Sequence, residues 1–206
     1  MSSEISQNMA GRKHLQPIVP DGFYHVYNRA VNENILFYSE YDYHIFIMKF
    51  KKYILTYADI LAYCLLPNHF HLLIKTIDYH NEDLFCKFIS GQFRKLFISH
   101  TMGINHRESR EGNLFCRPFK RIKIENEKYL RYLLFYIHFN PQKHKYTSDF
   151  RNHKFSSYHV FFNGKKTVLD RTFIEYLFND DKSEFLDYHN YYHDELKYEK
   201  IIIEEN

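Results

Sequence analysis

The chain has no tryptophan and only three cysteines among 206 residues. Without tryptophan, an aromatic interior has to be built from the 20 phenylalanines and 19 tyrosines. Cys64, Cys86 and Cys116 are odd in number and widely spaced, which argues against a disulfide framework or a Cys-x-x-Cys zinc site. They read as buried thiols in a reducing compartment. No stretch reaches the ~18 apolar residues that span a bilayer, and residues 1–20 lack the apolar run of a secretion signal. The expectation is therefore a cytoplasmic protein with no membrane contact. Neither charge sign dominates: the net charge is +3, which permits an acidic partner without requiring one. No internal repeat is visible.

A hydrophobic share of 45%, with 19% aromatic, supports a packed globule. Residues 1–20 read as a flexible lead-in that ends at the turn Pro20-Asp21-Gly22. Phe23–Arg29 is aromatic and β-branched, a first strand. Apolar residues at helical spacing predict a helix over 40–57, and a second over 82–101 that ends at Gly103. Between them, 59–66 is apolar on both alternating sets and reads as a buried strand, turned at Pro67-Asn68 into its hairpin partner. A strand over 114–124 and a helix over 125–140 complete the order. The result is an α+β fold with an antiparallel sheet and helices packed on one face. Residues 21–142 form the expected core, and 143–206 a partly helical C-terminal extension. In it Asp170 caps one helix, a second runs from Ser183 to about His193, and Ile201-Ile202-Ile203 docks on the body or a partner.

The hairpin's second strand carries Asn68-His69-Phe70-His71-Leu72. Alternation puts His69 and His71 on one face and Phe70, Leu72 and Ile74 on the other. Two neutral imidazoles spaced this way can hold one divalent cation. Fourteen histidines in 206 residues give roughly one such pair by chance, so its strand setting matters more than the triplet itself.

Two further segments bear chemistry. Arg117, Lys120, Arg121 and Lys123 alternate with Phe115, Phe119 and Ile122, a mixture of cations and rings that suits a nucleic-acid backbone and its bases. It equally suits an edge strand whose lysines prevent aggregation. On the 125–140 helix, Tyr136 and Asn140 project together about 90° from the middle of the leucine stripe, at its border. Pro141 places Asn140 at a kink or an end.

His25–Arg29, Ala62–Ile74, Leu114-Phe115 with Phe119-Lys120-Arg121, Tyr136–Pro141 and Ser156-Ser157-Tyr158 together resemble the single-tyrosine HUH transposases, in particular the REP-associated tyrosine transposases and related insertion-sequence enzymes. The matches run in order from about residue 22 to 158. The resemblance implies a ferredoxin-like core and Mg²⁺ or Mn²⁺ on His69, His71 and Asn140. It also implies Tyr136 as nucleophile, and Arg117, Lys120, Arg121 and Lys123 are candidate contacts to the DNA backbone. Other branches have Gln where Asn140 stands. The implied substrate is single-stranded DNA with a hairpin. A homodimer exchanging tyrosine helices and a monomer both occur among such enzymes. A replication-initiator or relaxase-like nickase and a catalytically silent DNA-binding protein remain alternatives, and missing acidic ligands disfavour a zinc hydrolase.

Overall fold

The computed structural model describes residues 15–32, 34–161 and 167–198. Four strands form one antiparallel sheet: β1 (Phe23–Arg29), β2 (Ala58–Leu66), β3 (His69–Thr76) and β4 (Lys120–Ile124), in the order β2-β3-β1-β4. The helices are α1 (Glu40–Tyr53), α2 (Glu82–Arg107), α3 (Glu127–Lys143), α4 (Arg171–Leu177) and α5 (Lys182–Tyr198). The core order β1-α1-β2-β3-α2-β4 with that strand order is the ferredoxin-like topology.

Register decides what each face carries. Tyr27 pairs with His71 and Val26 with Leu72 on β3, so Tyr27 joins the histidine face and Val26 the apolar one. Helices α1 and α2 cover the apolar face, where Phe46 and Phe97 pack on Phe70 and Phe50 on Tyr63. The expected antiparallel sheet with a helical layer is found, with one correction to its one-sided packing: α3 lies on the other face, its Tyr136 ring against His71. The reason is in β2, which is buried at nearly every position and so needs cover on both sides. Each fully buried phenylalanine contributes about 1.5–3 kcal/mol, so this aromatic layer is a major source of stability.

Several boundaries differ from the sequence expectation. Helix α1 ends at Tyr53. Helix α2 continues through Gly103 to Arg107, because its buried stripe runs on through His100 and Ile104. His100 is a core histidine bonded to the Leu36 carbonyl at 2.8 Å. Helix α3 passes through Pro141 to Lys143, so Asn140 sits inside it. Strand β4 begins only at Lys120, since Pro118 has no N–H to offer a ladder. Residues 114–116 instead bond back to Arg29 and Val31. Within the expected lead-in, Ile18 is buried and Leu15 bridges to Arg121. Cys64 is buried, whereas Cys86 and Cys116 are half-buried. The expected docking of Ile201–Ile203 lies outside the described residues.

Residues of the extension close over α3. The Asp170 carboxylate caps α4, accepting from the Phe173 N–H at 3.4 Å. A buried chain of hydrogen bonds runs from the Tyr63 N–H to Ser157 Oγ (2.9 Å), to His138 Nε2 (2.8 Å), and from His138 Nδ1 to His189 Nε2 (2.9 Å). It ends where His189 Nδ1 meets the Phe185 carbonyl at 2.8 Å.

Candidate active site

The sheet supplies the imidazoles. His71 is 1% exposed, with Nδ1 2.9 Å from Nε2 of His25 on β1. The rings of His25, Tyr27 and His71 stack at 4.6 and 5.6 Å. His69, at the start of β3, has Nδ1 2.7 Å from Asn68 Oδ1, which also accepts from the Tyr146 hydroxyl. Burial pushes the His69 ring down to about 3; neighbouring His144 adds to the shift, and the nearby Asn140 amide oxygen, an acceptor for the protonated ring, opposes it. Burial first, and His25 second, hold His71 well below the ordinary imidazole range. Both rings are therefore neutral at physiological pH, the form that ligates metal.

Helix α3 supplies the rest. Its N-cap is Asn126, whose side chain accepts from the Tyr129 N–H at 2.8 Å. Tyr136 is 2% exposed and Asn140 fully buried, a correction to the border position expected from the stripe. The helix is covered on two sides, by the sheet and by α5, so its border is not at the surface. Asn140 Nδ2 donates to the Tyr136 carbonyl at 2.9 Å, which aims the amide oxygen the other way. Asn140 Oδ1 and His69 Nε2 are both buried and make no geometrically sound hydrogen bond. Such atoms fit a bound cation, because burying unsatisfied acceptors is otherwise costly. Among the described residues, no group of three or more His, Cys, Asp or Glu side chains is arranged to hold a metal ion. The Asn140 amide oxygen is a further buried acceptor without a hydrogen-bond partner among the described residues.

Lys143 was not singled out by the sequence. Its ammonium donates to Tyr136 Oη at 2.6 Å and lies 4.6 Å from the ring centre. The signal was the i, i+7 spacing, hidden when the helix is ended at Pro141. His25 is 2% exposed and is the partner of His71. His138 is buried away from solvent in the Ser157–His189 chain.

The four candidate DNA contacts separate. Lys120 is on the histidine face, 5.7 Å from the Tyr27 ring centre. Lys123 is exposed and on the opposite face, and Arg117 is exposed before β4. Arg121 is tied down: Nε donates to the Gln16 carbonyl at 2.8 Å and Nη1 to that of Phe119 at 3.3 Å.

No family model matches the chain. A Haemophilus influenzae protein named "Putative REP-associated tyrosine transposase" is 29% identical over 106 residues, which are 49% of this chain and 59% of that protein. The match thus spans less than two thirds of the relative's length. A solved structure of a REP-associated tyrosine transposase bound to a REP hairpin superposes with a TM-score of 0.56 at 22% identity. It covers 74% of this chain and 86% of the other, and the two share a fold. No helix among the described residues is long and apolar enough to cross a membrane.

Proposed function

We propose that this chain is a transposase-type DNA strand transferase of the REP-associated kind. It binds single-stranded DNA carrying a hairpin, cleaves it with a tyrosine nucleophile and rejoins it. The observation that carries the reading is the meeting, on one sheet face, of an imidazole pair whose Nε2 atoms are buried, a carboxamide, and a phenol that accepts from a lysine. The likeness to the Haemophilus influenzae protein and to the hairpin-bound structure supports DNA as the substrate.

In this reading His69, His71 and Asn140 hold Mg²⁺ or Mn²⁺. A bound ion there supplies Lewis-acid stabilisation of charge on the non-bridging phosphate oxygens. His25 fixes the His71 ring and the proton on its Nδ1, as a partner of a ligating imidazole does. Tyr136 loses its phenolic proton to water and its oxygen attacks phosphorus. One P–O bond forms to tyrosine, and the bond to the 3′ oxygen breaks. The leaving oxygen takes up a proton from water, giving a free 3′-hydroxyl and a 5′-phosphotyrosine. Lys143 stabilises the phenolate by the charge-assisted hydrogen bond it already makes. Because the phosphodiester energy is retained in the covalent link, another 3′-hydroxyl can displace Tyr136 without ATP.

The test is a denaturing gel of the protein with a labelled single-stranded hairpin and Mn²⁺. A protease-sensitive adduct is expected; Tyr136→Phe removes it while hairpin binding persists. An adduct that survives in that variant assigns the nucleophile to another tyrosine. Tight hairpin binding by the wild type without any adduct overturns the enzymatic reading in favour of a silent DNA-binding protein.

A further inference from the structure

Between α2 and residues 112–119 lies a groove of about 1210 Å³. Its lining includes Lys87, Arg94 and Arg117 and no aspartate or glutamate. All three cations are exposed, and none makes an ion pair among the described residues. Apolar surface alternates with them: Met102 is exposed on α2, and the Phe119 ring rests on Phe93 at 5.2 Å. Interleaved charge and flat apolar surface suits a single nucleic-acid strand, whose phosphates need cations and whose bases need a stacking platform.

A second feature points the same way. Gly91 stands in the middle of α2 and lines the groove. A Cβ added there would meet nothing within 4 Å, so packing within the chain does not require glycine. Glycine inside a helix is destabilising relative to alanine. What its absent side chain provides is depth in the groove floor.

The groove also adjoins the candidate active site. Its wall is hydrogen-bonded to β1 through the Cys116 N–H and the Arg29 carbonyl (2.9 Å), and Arg29 pairs with His69. Two strand spacings, about 10 Å, separate the wall from the His69 backbone. The groove opens on the α2 side of the sheet and the imidazoles on the α3 side, so a strand leaving it at Arg117 reaches them by passing around the sheet past the exposed Arg29.

We infer that this groove holds the single-stranded DNA segment flanking the phosphodiester that is cut, with phosphates on Lys87, Arg94 and Arg117 and bases against Met102 and Phe119. The inference rests on the strand-transferase reading above. It is tested by fluorescence anisotropy with a labelled hairpin bearing a single-stranded extension, and with the same hairpin lacking it. Arg94→Glu and Gly91→Leu should each weaken binding of the extended hairpin about 10-fold and leave the plain hairpin unaffected. Arg94→Ala should lower the salt slope by about 0.7, and Arg94→Lys should retain most of the affinity. Equal losses on both hairpins, or none on either, overturn the inference. So does a wild-type dimer in sedimentation that Gly91→Leu dissociates, since the groove then belongs to a second copy. If the wild type forms the tyrosine adduct while groove variants bind the extended hairpin normally, the groove alone is wrong. If the wild type binds neither hairpin, the functional reading falls with it.

Discussion

The Lys143 ammonium donates to the phenolic oxygen of Tyr136 at 2.6 Å, two helical turns along α3. A phenol must ionise to attack phosphorus, and a cation already bonded to its oxygen stabilises the product of that ionisation. Lys143→Met is expected to slow adduct formation about 100-fold, in the range found for loss of one charge-stabilising donor. Hairpin affinity should change little. Single-turnover rates across pH check this, with Lys143→Arg keeping a large part of the wild-type rate.

Removal of divalent cations by EDTA should abolish cleavage and leave hairpin binding intact, with Mn²⁺ restoring the adduct. His25→Ala should raise the Mn²⁺ concentration needed for half-maximal cleavage about 10- to 100-fold, as loss of the partner that orients a ligating imidazole does. Saturating Mn²⁺ should recover most of the rate. A cleavage rate indifferent to EDTA would remove the ion from the mechanism.

Arg121 and Lys120 were grouped as DNA contacts by composition, and the structure separates them. Arg121→Ala should lower unfolding free energy by about 1–3 kcal/mol, because the Gln16 and Phe119 carbonyls lose their donor. Lys120→Ala should cost less stability but reduce the salt slope of hairpin binding by about 0.7. Chemical denaturation and binding titrations on both variants give the comparison. A steep stability loss for Lys120→Ala with an unchanged salt slope would reverse the assignment.

Acid should weaken the fold through two histidines outside the site. Burial holds His100 down to about 4 and His189 down to about 3, each from an ordinary value of 6.5. The unfolded chain therefore takes up protons first as pH falls below about 6.5. The stability contributed by the neutral rings is complete above that pH and is lost progressively towards 4 and 3. Between pH 7.5 and 5 each site should cost on the order of 2 kcal/mol. Urea midpoints at the two pH values check the slope, which His100→Gln should make shallower.

Much of the core was legible because its patterns are local. The alternation of His69, Phe70, His71 and Leu72 reads directly as two faces, and Asn68 with Pro67 reads as a turn. Strand 23–29 matches Phe23–Arg29 residue for residue. What escaped depends on partners distant in sequence. His25 looks like a surface residue until the register of β1 on β3 sets it diagonally beside His71. His100 interrupts a hydrophobic pattern until the Leu36 carbonyl supplies its acceptor. Pro141 reads as a terminator, yet α3 continues past it, and the continuation is what brings Lys143 over Tyr136. The covering of α3 by the C-terminal residues, where His189 and Tyr192 pack on Phe135, has no signature in the helix itself.

The hydrogen bonds from Tyr63 to Phe185 can be filled in only one direction. The Tyr63 amide must give a hydrogen and the Phe185 carbonyl must receive one, which leaves Ser157, His138 and His189 a single arrangement of protons between them. Strand β2, helix α3 and helix α5 are thereby wired in series. A fragment stopped at residue 142 would retain the His138 ring with neither neighbour, and expression of that fragment alone should yield insoluble material.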